Sequence, residues 1–137
     1  MVLFVDTSVW SLAFRRDRPE AVPEVRRLVA ALAEGEDIAL TGVIVQELFQ
    51  GLHGPKRRRA LMERMRAVPL VAPSRDDHLA AAELHGRCRR RGVQVGTVDA
   101  LLAALCIRRD LVMLSVDGDF RHVARHEPLR LWAPSAA

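Results

Sequence analysis

The chain has 137 residues, half of them hydrophobic, which predicts a single domain with a substantial core. Its 21 basic residues outnumber the 17 acidic ones and give a formal net charge of +4, which suits a polyanionic partner without proving one. The cysteines have no C-x-x-C spacing, which argues against a zinc site. The sequence has no basic leader, which argues against a signal peptide, and no apolar run near the roughly 20 residues of a membrane span, which argues against a membrane anchor. A cytoplasmic protein is therefore expected.

Short apolar runs alternate with amphipathic stretches along the chain. In order, the pattern predicts a strand over 2–5, helices over 8–15 and 20–34, a strand over 37–41, helices over 43–52 and 56–65, a strand over 68–72, helices over 74–91 and 97–109, a strand over 111–115, helical turns over 117–125 and a strand over 129–132. A polar segment with a proline, 15–19, separates the first two helices. Such alternation predicts an α/β fold, a three-layer sandwich with a mainly parallel central sheet flanked by helices.

Four acidic residues have apolar sequence neighbours instead of other charges. Asp6 ends the first predicted strand and Asp117 follows a later one, whereas Glu47 and Asp99 lie within apolar helical stretches. Open α/β sheets bind ligands beyond the carboxyl ends of their strands, so acids at these positions are candidate site residues. The residues three, four and seven positions after Asp99 are apolar or cysteine, so we expect its carboxylate on the inward face of its helix.

Carboxylates that converge need a cation or protons. Two unit charges about 4 Å apart repel by roughly 4 kcal/mol at an effective dielectric of 20. A helix N-terminus stabilises a nearby anion by only about 0.3–1 kcal/mol. Hard oxygen ligands select Mg²⁺ or Mn²⁺. Each acid also has a simpler explanation: Asp6 as a helix cap, Glu47 as the partner of an arginine, Asp99 as a charge at a helix N-terminus and Asp117 as a turn residue.

Four segments carry these acids: Val5-Asp6-Thr-Ser-Val-Trp10, Gln46-Glu47-Leu-Phe-Gln-Gly51, Val98-Asp99-Ala-Leu-Leu-Ala-Ala104 after Arg91-Gly92, and Leu114-Ser-Val-Asp117-Gly-Asp119-Phe120. With these motifs the chain resembles the PIN domain, and within it the VapC-type ribonuclease toxins of bacterial toxin–antitoxin pairs. The resemblance covers nearly the whole length, with the acids in the family's order. Residues 1–137 are therefore expected to form a single PIN-like domain.

The resemblance implies an acidic catalytic quartet of Asp6, Glu47, Asp99 and Asp117, in which Asp6, Asp99 and Asp117 bind metal. It implies Mg²⁺, with Mn²⁺ as a substitute, and an endoribonuclease that hydrolyses RNA phosphodiester bonds as a toxin. Accessory positions that orient a ligand or a phosphate are expected at Thr7, Ser8, Ser115 and Asp119. The family usually has Thr in place of Ser115, which keeps the hydroxyl group, and the three hydroxyl residues can equally be ordinary caps.

Two basic runs are candidate contacts for RNA phosphates, namely Lys56, Arg57 and Arg58 in one and Arg89, Arg90 and Arg91 in the other. A solvated helix face is the simpler explanation of such a run. The resemblance further implies a homodimer, and a VapB-like antitoxin that joins the toxin in a hetero-oligomer by placing a helix in a groove.

Other functions fit parts of the pattern. A catalytically silent binding module on the PIN fold would keep the fold without cleavage, and a related metal-dependent DNA nuclease would use the same acids. Some phosphatases with an aspartyl nucleophile also open with a strand followed by Asp and Thr. Those enzymes have a second Asp two residues later, where this chain has Ser8.

Overall fold

A computed structural model describes residues 1–14 and 22–135 of the chain. Its elements in chain order are β1 (Leu3–Val5), α1 (Thr7–Ala13), α2 (Pro23–Glu34), β2 (Ile38–Thr41), α3 (Gly42–Gly51), α4 (Pro55–Met65), β3 (Leu70–Val71), α5 (Arg75–Arg90), α6 (Thr97–Arg108), β4 (Val112–Leu114) and α7 (Asp119–Ala124). The predicted polar break at 15–19 lies outside the described residues.

The strands pair in parallel in the order β3-β2-β1-β4. All residues of β1 and β4 are buried and apolar, as expected for parallel strands covered on both faces. The chain runs outward from β1 through β2 to β3 and then crosses back to the far side of β1 for β4. The strand order therefore reverses between β1 and β4, and in open α/β sheets a ligand crevice forms at such a switch point.

The helices form two packed groups. Helix α1 contacts α2 and α3, whereas α5 packs along α6, which also contacts α7 and β4. Parallel crossovers are almost always right-handed, which puts the helices that precede β3 on one face of the sheet and those that lead to β4 on the other. The predicted three-layer α/β sandwich is confirmed. No helix in the described part of the chain combines the length and apolar character needed to span a membrane.

Several predicted elements are shorter in the structure, and for two of them the local residues explain the difference. The helix expected over 20–34 is described from Pro23, because proline suits a first helical turn, where its missing N–H has no partner to lose. The strand expected over 129–132 is a single parallel bridge between Met113 and Leu131. The last hydrogen bond of this pairing runs from Trp132 N to Met113 O, and Pro134, two residues further on, has no N–H with which to extend the ladder.

Candidate active site

Asp6 stands at the carboxyl end of β1, where it also caps α1. Its Oδ2 accepts hydrogen bonds from Ser8 N at 3.4 Å, Ser8 Oγ at 2.7 Å and Ser115 Oγ at 2.9 Å. The residue is 7 % exposed. The sequence allowed either Asp6 or the hydroxyl residues Thr7 and Ser8 as the cap of α1, and the cap is Asp6. The cap and the site are compatible, because the bonds within the described residues all go to Oδ2 and leave Oδ1 for a ligand.

The hydroxyl groups of Ser8 and Ser115 join the ends of β1 and β4. Ser8 Oγ accepts a hydrogen bond from Val116 N at 3.2 Å, and Ser115 Oγ accepts one from Asp117 N at 3.0 Å. Each hydroxyl donates its single proton to Asp6 and receives a backbone N–H in return. The serines therefore fix the orientation of the Asp6 carboxylate and the backbone that leads to Asp117.

Three further carboxylates form a tight cluster at this edge of the sheet. Asp99 in the first turn of α6, Asp117 after β4 and Asp119 at the start of α7 each offer an oxygen, and these oxygens lie within 4.8 Å of one another. Asp119 N donates to Asp117 Oδ1 at 2.9 Å. Asp6 is near but outside this tight group. Asp119, which was expected only as an accessory, is thus one of its three members.

The charge of the cluster changes the acidity of Asp99. Burial raises the pKa of Asp99, and with the added effect of four neighbouring carboxylates the pKa reaches about 6; these are Asp117, Asp6, Asp119 and Glu47. The other three members of the predicted quartet therefore all lie close enough to act on the Asp99 carboxylate. The inward orientation expected for Asp99 is also found, because the residues at the helical positions below it, Leu102, Ala103 and Cys106, are buried.

Glu47 lies at the rim of the site and is exposed, contrary to the expectation that it would have apolar surroundings. The inward face of α3 is formed by Ile44 and Leu48, so the residue before Leu48 points to the side of the helix. Glu47 Oε1 accepts a hydrogen bond of 2.9 Å from Thr7 Oγ1. The first residue of α1 thus positions an otherwise mobile carboxylate beside the cluster.

The chemistry of these donors fits a hard divalent cation. Mg²⁺ binds oxygens at about 2.0–2.1 Å in an octahedron, so its opposite ligand atoms are about 4.2 Å apart. The three clustered oxygens lie within 4.8 Å of one another, which is close to that spacing. The described members of the cluster include neither His nor Cys, which softer metals favour. The raised pKa of Asp99 indicates that its protein surroundings leave the negative charge uncompensated.

The basic runs are only partly available for a substrate. Arg58 donates from Nη1 to Phe49 O at 2.8 Å and lies 5.1 Å from the centre of the Phe49 ring, so it ties α4 to α3. Arg91 Nη1 lies 3.3 Å from Nδ1 of His126. The predicted phosphate contacts whose side chains have no hydrogen-bond partner among the described residues are Lys56, Arg57, Arg89 and Arg90.

A parallel α/β sheet with carboxylates gathered at its switch point defines a protein with an acidic type of site. The PIN domain model matches residues 3–126, and the chain belongs to the PIN domain family, as its motifs predicted. Ribonuclease VapC11 of Mycobacterium tuberculosis is 32 % identical over 126 residues, which cover 90 % of this chain and 92 % of that protein.

Solved structures share the fold. The structure described as VapBC2 from Rickettsia felis bound to a DNA fragment from their promoter has a TM-score of 0.76 at 17 % identity, covering 96 % of this chain and 98 % of that one. VapC20 of Mycobacterium tuberculosis, described as a Sarcin-Ricin loop cleaving toxin, has a TM-score of 0.67 at 23 % identity, covering 93 % of this chain and 98 % of that one. At these identities the likeness supports the architecture alone.

Proposed function

We propose that the chain is a Mg²⁺-dependent endoribonuclease that acts in the cytoplasm as the toxin of a toxin–antitoxin pair. The observation that carries the proposal is the convergence of carboxylates at the β1/β4 switch point, where burial and these neighbouring charges raise the pKa of Asp99 to about 6. The names of relatives such as ribonuclease VapC11 support RNA as the substrate.

The roles of the residues follow from their bonding. Asp6, Asp99 and Asp117 would hold Mg²⁺ or Mn²⁺, as the sequence predicted, and we add Asp119 because it belongs to the oxygen cluster. When bound, the ion supplies a lowered pKa for the attacking water and neutralises charge that develops on the phosphate. Ser8 and Ser115 donate their hydrogen bonds to Asp6 Oδ2, which leaves Asp6 Oδ1 available for the ion.

Glu47 is assigned to proton transfer. Thr7 occupies Oε1, so Oε2 can accept the proton of the water that attacks the phosphorus atom. The attack breaks the bond to the 3′ oxygen, which leaves a 5′-phosphate on one RNA fragment and a 3′-hydroxyl on the other. Because Glu47 is exposed at the rim, it can meet a substrate without a rearrangement of the core.

The decisive experiment compares RNA cleavage by the purified chain in Mg²⁺ and in EDTA. Asp99→Asn removes one cluster charge at nearly constant volume and is expected to abolish cleavage while the fold persists. Asp76→Asn makes the same chemical change at an exposed position in the first turn of α5 and should cleave like the parent. Full activity in EDTA, or in folded Asp99→Asn, contradicts the proposal.

The alternatives predict different outcomes in the same assay. Cleavage of a DNA strand of matched sequence at the same rate, without a preference for RNA, would favour a DNA nuclease. Binding of Mg²⁺ or RNA without cleavage of either strand would favour a silent binding module on the same fold.

We also propose a homodimer that binds a VapB-like antitoxin in a hetero-oligomer. The names of ribonuclease VapC11 and of the VapBC2 structure support the antitoxin partner, and the homodimer rests on the resemblance to the VapC-type toxins. Co-expression with the product of a small adjacent reading frame is expected to yield a complex that is inactive on RNA. A purified complex with the full activity of the free chain would contradict the proposed inhibition.

A further inference from the structure

A groove runs between α5 and α6 on the outer side of α6. Two adjoining cavities form it, and His85 lines both. The first, of about 470 Å³, is polar and contains Arg89 and Gln94. The second, of about 370 Å³, is mainly apolar and contains Ala82, Val98 and Leu101. We call these together the α5/α6 groove.

The polar end of the groove offers an uncompensated positive charge. Arg87 and Arg91, two residues before and after Arg89, are held by Glu127 and by His126 respectively. Arg89 is exposed and has no such partner among the described residues. Its guanidinium therefore remains available for an anion, and a phosphate accepts its planar fork of N–H groups.

The apolar end suits the face of a flat ring. Val98 is 36 % exposed and Leu101 is half-buried, and small alanines from α5 face them across the cavity. His85 stands between this end and Arg89. Apolar and aromatic side chains beside a cation are the means by which proteins hold an unstacked nucleobase and its phosphate.

The groove is close to the acidic site but on another side of α6. Gly96, which lines its polar end and is the N-cap of α6, precedes Asp99 by three residues. Asp99 and Leu101 point to different sides of the helix. A strand that reaches both must cross the first turn of α6, and nothing lies within 4 Å of the point where a Cβ of Gly96 would stand.

We propose that the α5/α6 groove binds one nucleotide of a single-stranded RNA, next to the bond that the acidic site cleaves. Arg89 and His85 contact its phosphate, and its base lies against Ala82, Val98 and Leu101. The inference rests on the proposed function for the location of the cleaved bond. The binding that it describes is measurable without cleavage.

The test is RNA binding on an Asp99→Asn background, measured by fluorescence anisotropy with a short single-stranded oligoribonucleotide of mixed sequence. Arg89→Ala is expected to weaken binding about tenfold and to lower the salt slope by about 1. Ala82→Trp should also weaken binding, because the indole fills the apolar end from an exposed helix position. Arg75→Ala, the same charge change at the other end of α5, should bind like the background protein.

The results separate the groove from the catalytic proposal. Equal affinities of Arg89→Ala, Ala82→Trp and Arg75→Ala, with circular dichroism showing folded proteins, would overturn the groove. An affinity of Arg89→Ala no weaker than that of Arg75→Ala would overturn it even if Ala82→Trp does not fold. Failure of the parent chain to cleave RNA would contradict the nuclease proposal. The proposal that the groove binds a nucleotide is tested by the binding measurements alone.

Discussion

At the scale of single residues, the pair Ser8 and Ser115 explains how a buried carboxylate is held ready for a ligand. Asp6 Oδ2 accepts a hydrogen bond from each of the two hydroxyl groups, and each hydroxyl oxygen accepts one from a backbone N–H that follows β4. Hydrogen bonds to a charged group are worth about 1.5–3 kcal/mol each. Because β1 and β4 are paired, these hydrogen bonds fix the orientation of the Asp6 carboxylate.

Ser115→Ala tests this role. The change removes a donor to Asp6 and leaves Asp117 N without its acceptor. Loss of a group that orients a metal ligand typically costs about 10–100-fold in metal affinity or activity, and we expect a fall of that size in Mg²⁺ affinity. Isothermal titration with Mg²⁺ measures it. Ser115→Thr keeps the hydroxyl and should retain affinity, and equal loss in both variants would contradict an orienting role.

The raised pKa of Asp99 makes the stability of the metal-free protein depend on pH. The pKa of this acid is about 6 in the folded chain against an ordinary value of 3.8. Between these values the folded state binds more protons than the unfolded state, so stability falls as pH rises through this window and is constant above it. In EDTA the parent is expected to gain more stability than Asp99→Asn between pH 7 and pH 5.

Thermal unfolding of both proteins at the two pH values measures the difference. Asp99→Asn is the control, because it keeps every other titrating group, including the remaining acids of the site. Identical pH dependence of the two melting temperatures would show that the pKa of Asp99 is not raised in the folded chain.

At the scale of elements, Asp77 links the start of α5 to the end of α6. It forms a capping box with Ser74, and its two oxygens accept hydrogen bonds from Arg108 at 2.8 Å and Arg109 at 2.7 Å. Burial alone would raise the pKa of Asp77, but the hydrogen bonds from Ser74 and from the two guanidinium groups hold it well below its usual range. The acid serves the packing of the two helices that carry Asp99 and the groove.

Asp77→Ala is expected to lower the free energy of unfolding by about 2–4 kcal/mol, the sum of a lost cap and of lost hydrogen bonds to charged groups. Because the pKa of Asp77 is lowered in the folded state, its contribution is complete above its unfolded pKa and is lost as pH falls below that value. Urea unfolding at neutral pH measures the loss. Asp76→Asn, at the exposed neighbouring position, is the control, and equal stabilities would contradict the linking role.

The elements themselves were largely predictable, because apolar periodicity is local. The positions of β1, β4 and α6 followed from runs such as the one that ends at Asp6. Contacts between distant elements were not predictable. The sequence neighbours of Glu47 are apolar, but the exposure of its side chain depends on which face of α3 meets the core. Likewise, no pattern near Arg58 or Arg91 indicates that Phe49 and His126 engage them.

At the scale of the whole molecule, negative and positive charge have separate places. The chain carries a formal net charge of +4, yet five carboxylates converge at the switch point of the sheet. A local negative field of this kind attracts a divalent cation, while basic residues elsewhere attract the polyanion. Under the proposed function, the site would need its cation before an RNA phosphate could approach, which would couple metal binding to both stability and substrate binding.

Mg²⁺ is expected to raise the melting temperature of the parent chain in proportion to the logarithm of its concentration. A ligand that binds only the folded state stabilises it by about 2.7 kcal/mol at one hundred times its Kd, which for a chain of this size corresponds to several degrees. Differential scanning fluorimetry in Mg²⁺, against NaCl of equal ionic strength, measures the shift. Asp99→Asn should lose most of it and Asp76→Asn none, because Asp76 lies on α5 outside the cluster. Equal shifts in the parent and in Asp99→Asn would place the stabilising cation elsewhere on the molecule.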